Sequence, residues 1–151
     1  MTDRRLRAVV AALSAIGVGI AGYLTYVHYA GLMPVCGISH GCETVQTSRY
    51  ALLDGVPVAP LGLLAYIIVL ASAGIRGEQV LLTGFGVSLV AVSFSAYLTY
   101  REVFTIHAIC SWCISSAIVF ALVALTNSIR FASRPDAALQ AGAWRDPAPT
   151  D

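Results

Sequence analysis

The chain has 151 residues, of which 58% are hydrophobic and only 11% charged, and its mean hydropathy is +0.77. A soluble core of this size has no use for so much apolar surface, which excludes a water-soluble domain and points to an integral membrane protein. A net charge of +1 without any basic stripe excludes nucleic acid as a partner and leaves membrane lipid as the expected surroundings.

Charged residues leave four long gaps, Ala8 to Cys42, Gly55 to Ile75, Gln79 to Tyr100 and Val103 to Ile129. Each holds the roughly 20 apolar residues that cross about 30 Å of hydrocarbon as a helix. Backbone in lipid must satisfy its own hydrogen bonds, and strand-like alternation is absent. The expected fold is therefore all-α, an integral membrane four-helix bundle. The helices are predicted at about Leu6 to Tyr29, Val58 to Ala73, Gln79 to Tyr100 and Ala108 to Ile129, the second being the shortest.

The basic start, Asp3-Arg4-Arg5-Leu6-Arg7, also suits a cleaved signal peptide, but the apolar run after it far exceeds the roughly 7–15 residues of a signal core. The first helix is therefore expected to stay. Gly17, Gly19 and Gly22 within it suit close helix packing, or are simply ordinary small residues of a membrane helix.

Every positive charge is an arginine. Arg4, Arg5, Arg7, Arg76, Arg130, Arg134 and Arg145 fall on one side of the predicted spans, and Arg49 and Arg101 on the other. This bias places both termini in the cytoplasm and turns residues 30–57 and 101–107 outward. In a bacterial inner membrane that outer face is the oxidising one.

All four cysteines lie there. Cys36 and Cys42 bracket a loop whose glycines, Gly37 and Gly41, permit a sharp closure. Cys110-Ser-Trp-Cys113 stands where the fourth helix begins, and a spacing of three puts both sulfurs on one helix face, within reach of a disulfide or a shared ligand. The free N–H groups and positive dipole end of that first turn favour a thiolate at Cys110, while burial opposes it. Thiol–disulfide exchange between the two pairs is one reading. Two structural disulfides, a zinc site built from all four cysteines, or inert buried thiols are the others.

A repeat links the pairs. Tyr23-Leu24-Thr25-Tyr26 closes the first helix and Tyr97-Leu98-Thr99-Tyr100 the third, and Cys36 and Cys110 each follow the first tyrosine of their motif by thirteen residues. A duplicated hairpin accounts for this, with a pocket between the halves; the aromatic enrichment of any membrane interface is the plainer account.

In order, the chain carries Cys-x5-Cys, Ser48 six residues later, Gly55-Val56-Pro57 leading to a helix with Gly62 and Tyr66, and Cys-x2-Cys opening the last helix. This ordered set, across about residues 10–130, resembles the bacterial vitamin K epoxide reductase (VKOR) homologues. The quinone-linked DsbB family resembles it less, because there the CxxC pair precedes the spaced pair.

The VKOR resemblance implies an oxidoreductase that supports disulfide formation. A reduced partner attacks the Cys36–Cys42 disulfide at Cys36, Cys42 exchanges with Cys110, and Cys113 faces a quinone, each sulfur step passing through a mixed disulfide. Trp112 is read as a ring contact for the quinone or an interface anchor. Ser48 is read as a helix cap or a hydrogen-bonding neighbour of the redox centre.

Ala117 stands where vertebrate members carry a tyrosine, and Val58 where they carry an asparagine. Both departures favour a plain quinone, menaquinone or ubiquinone, over an epoxide. Residues 1–130 make up the expected VKOR-like domain, and residues 131–151 a disordered cytoplasmic tail too short for the thioredoxin-like domain fused to some relatives. The expected partner is then a separate DsbA-like thioredoxin-fold protein. His28, His40 and His107 read as interfacial, and Glu43 and Asp54 as groups that keep the outer loop wet.

Overall fold

A computed structural model describes residues 3–36, 41–53, 55–75 and 77–133. Helix α1 spans Asp3–Tyr29, α2 Cys42–Gln46, α3 Val58–Gly74, α4 Glu78–Arg101 and α5 Ser111–Ala132. A 3-10 turn at Arg49–Ala51 leads into an antiparallel ribbon, β1 (Leu52–Leu53) with β2 (Val56–Pro57), in which Leu52 faces Pro57 and Leu53 faces Val56.

The protein is mostly helical, and the expectation of an all-α fold with four helices is corrected twice. A fifth, short helix starts at Cys42, and the loop before α3 folds into the ribbon because Gly55, at φ +86°, supplies the left-handed turn residue that a side chain resists.

Three of the four predicted spans reach full length, and the second is the shortest, as expected. Asp3–Tyr29, Glu78–Ile106 and Ser111–Ala132 are long and apolar enough to cross a membrane. The 17 residues of α3 rise only about 26 Å, short of the roughly 30 Å of hydrocarbon.

Two boundaries shift in ways that matter for the site. The third predicted helix does not stop at Tyr100; α4 runs to Arg101 and continues as a π-helical turn, Glu102–Ile106. His107 ends that turn in the left-handed region at φ 55°, and Cys110 takes extended backbone, so α5 begins at Ser111 rather than Ala108. At its other end α5 reaches Ala132, past the predicted stop at Ile129. Gly37, His40, Asp54, Arg76 and the expected tail from residue 134 lie outside the described residues.

Helix α1 packs on α3 and α5, and α4 packs on the same two, so the four long helices close a ring. Its core joins Val10, Ala21, Tyr66, Val69, Val119, Phe120 and Val123. Tyr66 is wholly buried, its ring stacks on Phe120 at 3.8 Å between centroids, and its hydroxyl donates to the Ser116 carbonyl at 2.8 Å. Exposed Ile16, Leu64 and Leu125 give the outside of the ring an apolar surface suited to lipid.

The end of the ring away from the cysteines is closed by arginines. Arg7 on α1 donates from Nε to the Ala73 carbonyl at 2.9 Å and from Nη2 to the Gly74 carbonyl at 2.8 Å, satisfying groups that the last turn of α3 leaves unpaired. Buried Arg130 on α5 pairs with Asp3 at 3.3 Å and donates to Asn127 Oδ1 at 3.2 Å. These contacts tie the start of α1 to the ends of α3 and α5.

Of the glycines in α1, Gly17 is the one that packing requires, because a Cβ there would overlap the Tyr66 ring. Nothing lies within 4 Å of a Cβ at Gly19. Gly17→Ala is expected to cost about 1–3 kcal/mol as an overpacked site, whereas Gly19→Ala is expected to be neutral or slightly stabilising. Unfolding of the two variants in detergent checks this, and equal stabilities would contradict the role given to Gly17.

Candidate functional site

The cysteine end of the ring is assembled from three segments, two close together after α1 and one far along the chain at the start of α5. The first is the strand of chain after α1. Val35 donates its N–H to the Tyr23 hydroxyl at 3.0 Å and accepts from the Trp112 indole N–H at 2.9 Å, and the Tyr23 and Trp112 rings lie 4.9 Å apart. Both backbone groups of the residue before Cys36 are thus held by side chains of α1 and α5, which positions Cys36 beside the CxxC turn.

The second segment is α2, which begins at Cys42. Cys36 and Cys42 form a disulfide. Gly41 lies against the backbone of Ile109, where a Cβ would come 2.7 Å from both the nitrogen and the oxygen of Ile109. Only a glycine allows the first loop to approach the chain just ahead of Cys110 this closely.

The third segment is the start of α5. Cys110 is the N-cap, and its sulfur accepts the Cys113 N–H at 3.4 Å, filling one of the donors that a helix start leaves open. Cys110 and Cys113 are reduced thiols. The Cys113 thiol, hydrogen-bonded to the Cys110 sulfur, holds the Cys110 thiol below its ordinary range, against the upward push of burial.

Cys42 and Cys110, both wholly buried, pack with Val45 into one cluster, and Cys36, Cys113, Trp112, Ile106 and Ala108 close around it. The two pairs that stand far apart in sequence are therefore neighbours. With Cys36 and Cys42 joined, four thiolates are not available to a metal ion in this state.

Beneath the cluster a cavity of about 570 Å³ opens between the helices. Cys113, Glu102, Gln46, Ser48 and Ser116 supply its polar groups at the cysteine end; Val58, Leu61, Val87, Val90, Phe94 and Phe120 line its apolar walls. A flat, apolar ring with polar oxygens and a long tail fits such a lining, and the size lies within the range of small-molecule pockets. Tyr50, also on the wall, carries the Arg101 guanidinium over its ring at 4.7 Å.

The remaining predicted residues fall in distinct places. Val58 lines the cavity. Ser48 lines it too; it precedes the 3-10 turn without a side-chain bond to it, and its hydroxyl instead donates to the Val45 carbonyl at 2.7 Å. Trp112 and Ala117 are not among the residues lining the cavity; Trp112 instead tethers the Cys36 segment. The two YLTY motifs sit at the same end of the ring with unlike contacts. Tyr23 receives the Val35 N–H, whereas Tyr97 receives the Arg101 Nε–H at 3.2 Å.

One residue of the site escapes a reading of the sequence. Glu102 is 3% exposed, accepts the Cys110 N–H at 3.2 Å, and hydrogen-bonds with the Cys113 thiol. The helical period ends near Tyr100, which leaves Glu102 in the outer loop, and no pattern announces a π turn. The available signal is an acidic residue eight positions before Cys110 in an otherwise apolar stretch.

Residues 8–128 match the Vitamin K epoxide reductase family. The chain belongs to that family. Over 130 residues it is also 32% identical to the thiol-disulfide oxidoreductase LTO1 of Arabidopsis thaliana, a match that covers 78% of this chain and 33% of that protein. The chain thus spans about a third of the length of this curated relative. Membership in the VKOR family agrees with the order of the cysteine pairs and sets aside the DsbB family, in which that order is reversed.

Proposed function

We propose that this VKOR-family chain is a membrane thiol:quinone oxidoreductase that makes disulfides for an extracytoplasmic partner. The observation that carries the reading is the contact of the Cys36–Cys42 disulfide with the reduced Cys110/Cys113 pair, whose second thiol opens on an apolar cavity.

A partner dithiol attacks Cys36, and the resulting mixed disulfide resolves as the second partner thiol expels Cys36. The partner leaves oxidised and Cys36 and Cys42 become thiols. The Cys42 thiolate then attacks Cys110 of a Cys110–Cys113 disulfide, Cys36 resolves the cross-loop bond, and the electrons rest on Cys110 and Cys113. The state described, outer pair oxidised and inner pair reduced, is the one that follows this transfer. A quinone supplies the two-electron sink, and Cys113, Ser48, Ser116 and the apolar walls would hold it. For a two-electron couple about 30 mV of potential difference already sets a tenfold bias.

The partner fits a DsbA-like thioredoxin-fold protein and the quinone fits menaquinone or ubiquinone. The arginine asymmetry supports a bacterial inner membrane with both termini cytoplasmic and the cysteines outside. Residues 1–130, together with the end of α5 at Ala132, would be the working unit and the residues that follow a tail.

Trapping tests the relay. Cys36→Ala leaves Cys42 without its resolving neighbour, so a Cys42–Cys110 disulfide is expected to accumulate in membranes, read by mass spectrometry of non-reduced peptides. Bonds confined to Cys110–Cys113, with no cross-loop species, would sink the relay.

A further inference from the structure

Glu102 is a buried acid, 3% exposed at the cysteine end of the ring. Among the described side chains the ion pair is Arg130–Asp3, at the far end of the ring, and none of the described arginines pairs with Glu102. The adjacent Arg101 turns outward to the Tyr97 hydroxyl and the faces of Tyr50 and Tyr97. Burying an acid is costly, and a site that keeps one generally uses it.

Its two contacts say for what. The Glu102 side chain accepts the backbone N–H of Cys110 and meets the thiol of Cys113, while lining the same cavity as that thiol. Among the described side chains, the titratable groups at its end of the cavity are Cys110 and Cys113 at the start of α5 and Tyr50 on the cavity wall; Glu43 of α2 is exposed.

We infer that Glu102 is the proton carrier of the inner pair: its carboxylate takes the Cys113 thiol proton and passes it toward the acceptor held in the cavity. The inference rests on the oxidoreductase reading above. In the balanced step the two thiols surrender two electrons and two protons and join as Cys110–Cys113, and the quinone leaves as quinol. The Cys113 proton travels through Glu102 to the quinone, the Cys110 proton leaves to water at the outer end, and the quinol takes its second proton from that water. The Cys110 N–H contact keeps the carboxylate in place throughout.

Glu102→Gln is the discriminating variant, because its amide oxygen still accepts the Cys110 N–H while the base is gone. The first readout needs no quinone. Alkylation of Cys113 is followed against pH by site-resolved mass spectrometry, with Cys36–Cys42 left oxidised. A thiol that shares its proton with a carboxylate reacts through the tautomer with thiolate and carboxylic acid, which has the same proton count, so wild type is expected to show a pH-independent plateau below the thiol titration. Glu102→Gln is expected to lose the plateau and fall tenfold per pH unit, and Glu102→Asp to restore part of it.

The second readout is quinone-linked turnover, expected to drop by about 10²-fold or more in Glu102→Gln, the usual worth of a positioned acid or base. A wild-type profile without a plateau, or a plateau that survives in Glu102→Gln, overturns the inference even if quinone reduction is intact. A plateau that behaves as expected in a chain that reduces no quinone overturns the oxidoreductase reading and leaves the proton contact between Glu102 and Cys113 standing.

Discussion

Cys113→Ala is expected to oxidise one equivalent of partner dithiol per chain and then stop. The Cys36–Cys42 disulfide is already formed and can be spent once, but its electrons then have no Cys110–Cys113 disulfide to enter. Turnover with quinone should fall by at least about 10³-fold, the scale expected when a nucleophile that acts as part of a unit is removed. Cys110→Ala should give the same single burst. Cys36→Ala should give none, because the sulfur proposed to meet the partner is gone.

The same variant carries a pH signature. Cys113 supplies the hydrogen bond that holds the Cys110 thiol below its ordinary range. Deleting it leaves burial as the opposing influence, so the onset of Cys110 thiolate reactivity should move to higher pH. Stopped-flow oxidation of a reduced thioredoxin-fold protein gives the burst, and alkylation of Cys110 against pH gives the shift. Multiple turnovers in Cys113→Ala, or an onset at unchanged or lower pH, would contradict the roles assigned to the pair.

The largest stability effect is expected at Tyr66. It is wholly buried, stacks on Phe120, fills the space above Gly17 and hydrogen-bonds Ser116 on α5. Tyr66→Ala should cost about 3–5 kcal/mol, the range for removing a large buried aromatic and leaving a hole. Tyr66→Phe keeps the ring and loses the hydroxyl, so its cost should be nearer 1 kcal/mol. Equilibrium unfolding in detergent separates the two, and similar losses would mean that the hydroxyl rather than the ring carries the packing. Because Phe120 and Ser116 also line the cavity, Tyr66→Ala should loosen that wall as well.

Much of this architecture was legible in one dimension. Apolar runs between charges located the four long helices to within a few residues at most ends, since the lipid requirement acts on every residue of a span. Helix ends were less legible where the backbone departs from the α-helix. The π turn after Arg101, the left-handed His107 and the extended Cys110 moved the start of α5 by three residues and drew Glu102 out of the loop. The ribbon before α3 and the short α2 at Cys42 are likewise products of local turns too brief to impose a period.

The sequence by itself determined the membrane character of the chain, the two cysteine spacings and their common end of the molecule, and the ordered motif set that its family shares. Those properties reside in hydropathy, charge and short spacings, which depend only on near neighbours. Tertiary structure alone decided that the two pairs touch, that Trp112 holds the Val35 carbonyl 77 residues away, that Gly41 admits the backbone of Ile109, and that a buried Glu102 joins the inner thiols. Each of these is a contact between segments that come together only when the four long helices close into a ring, so no local pattern in the chain encodes it.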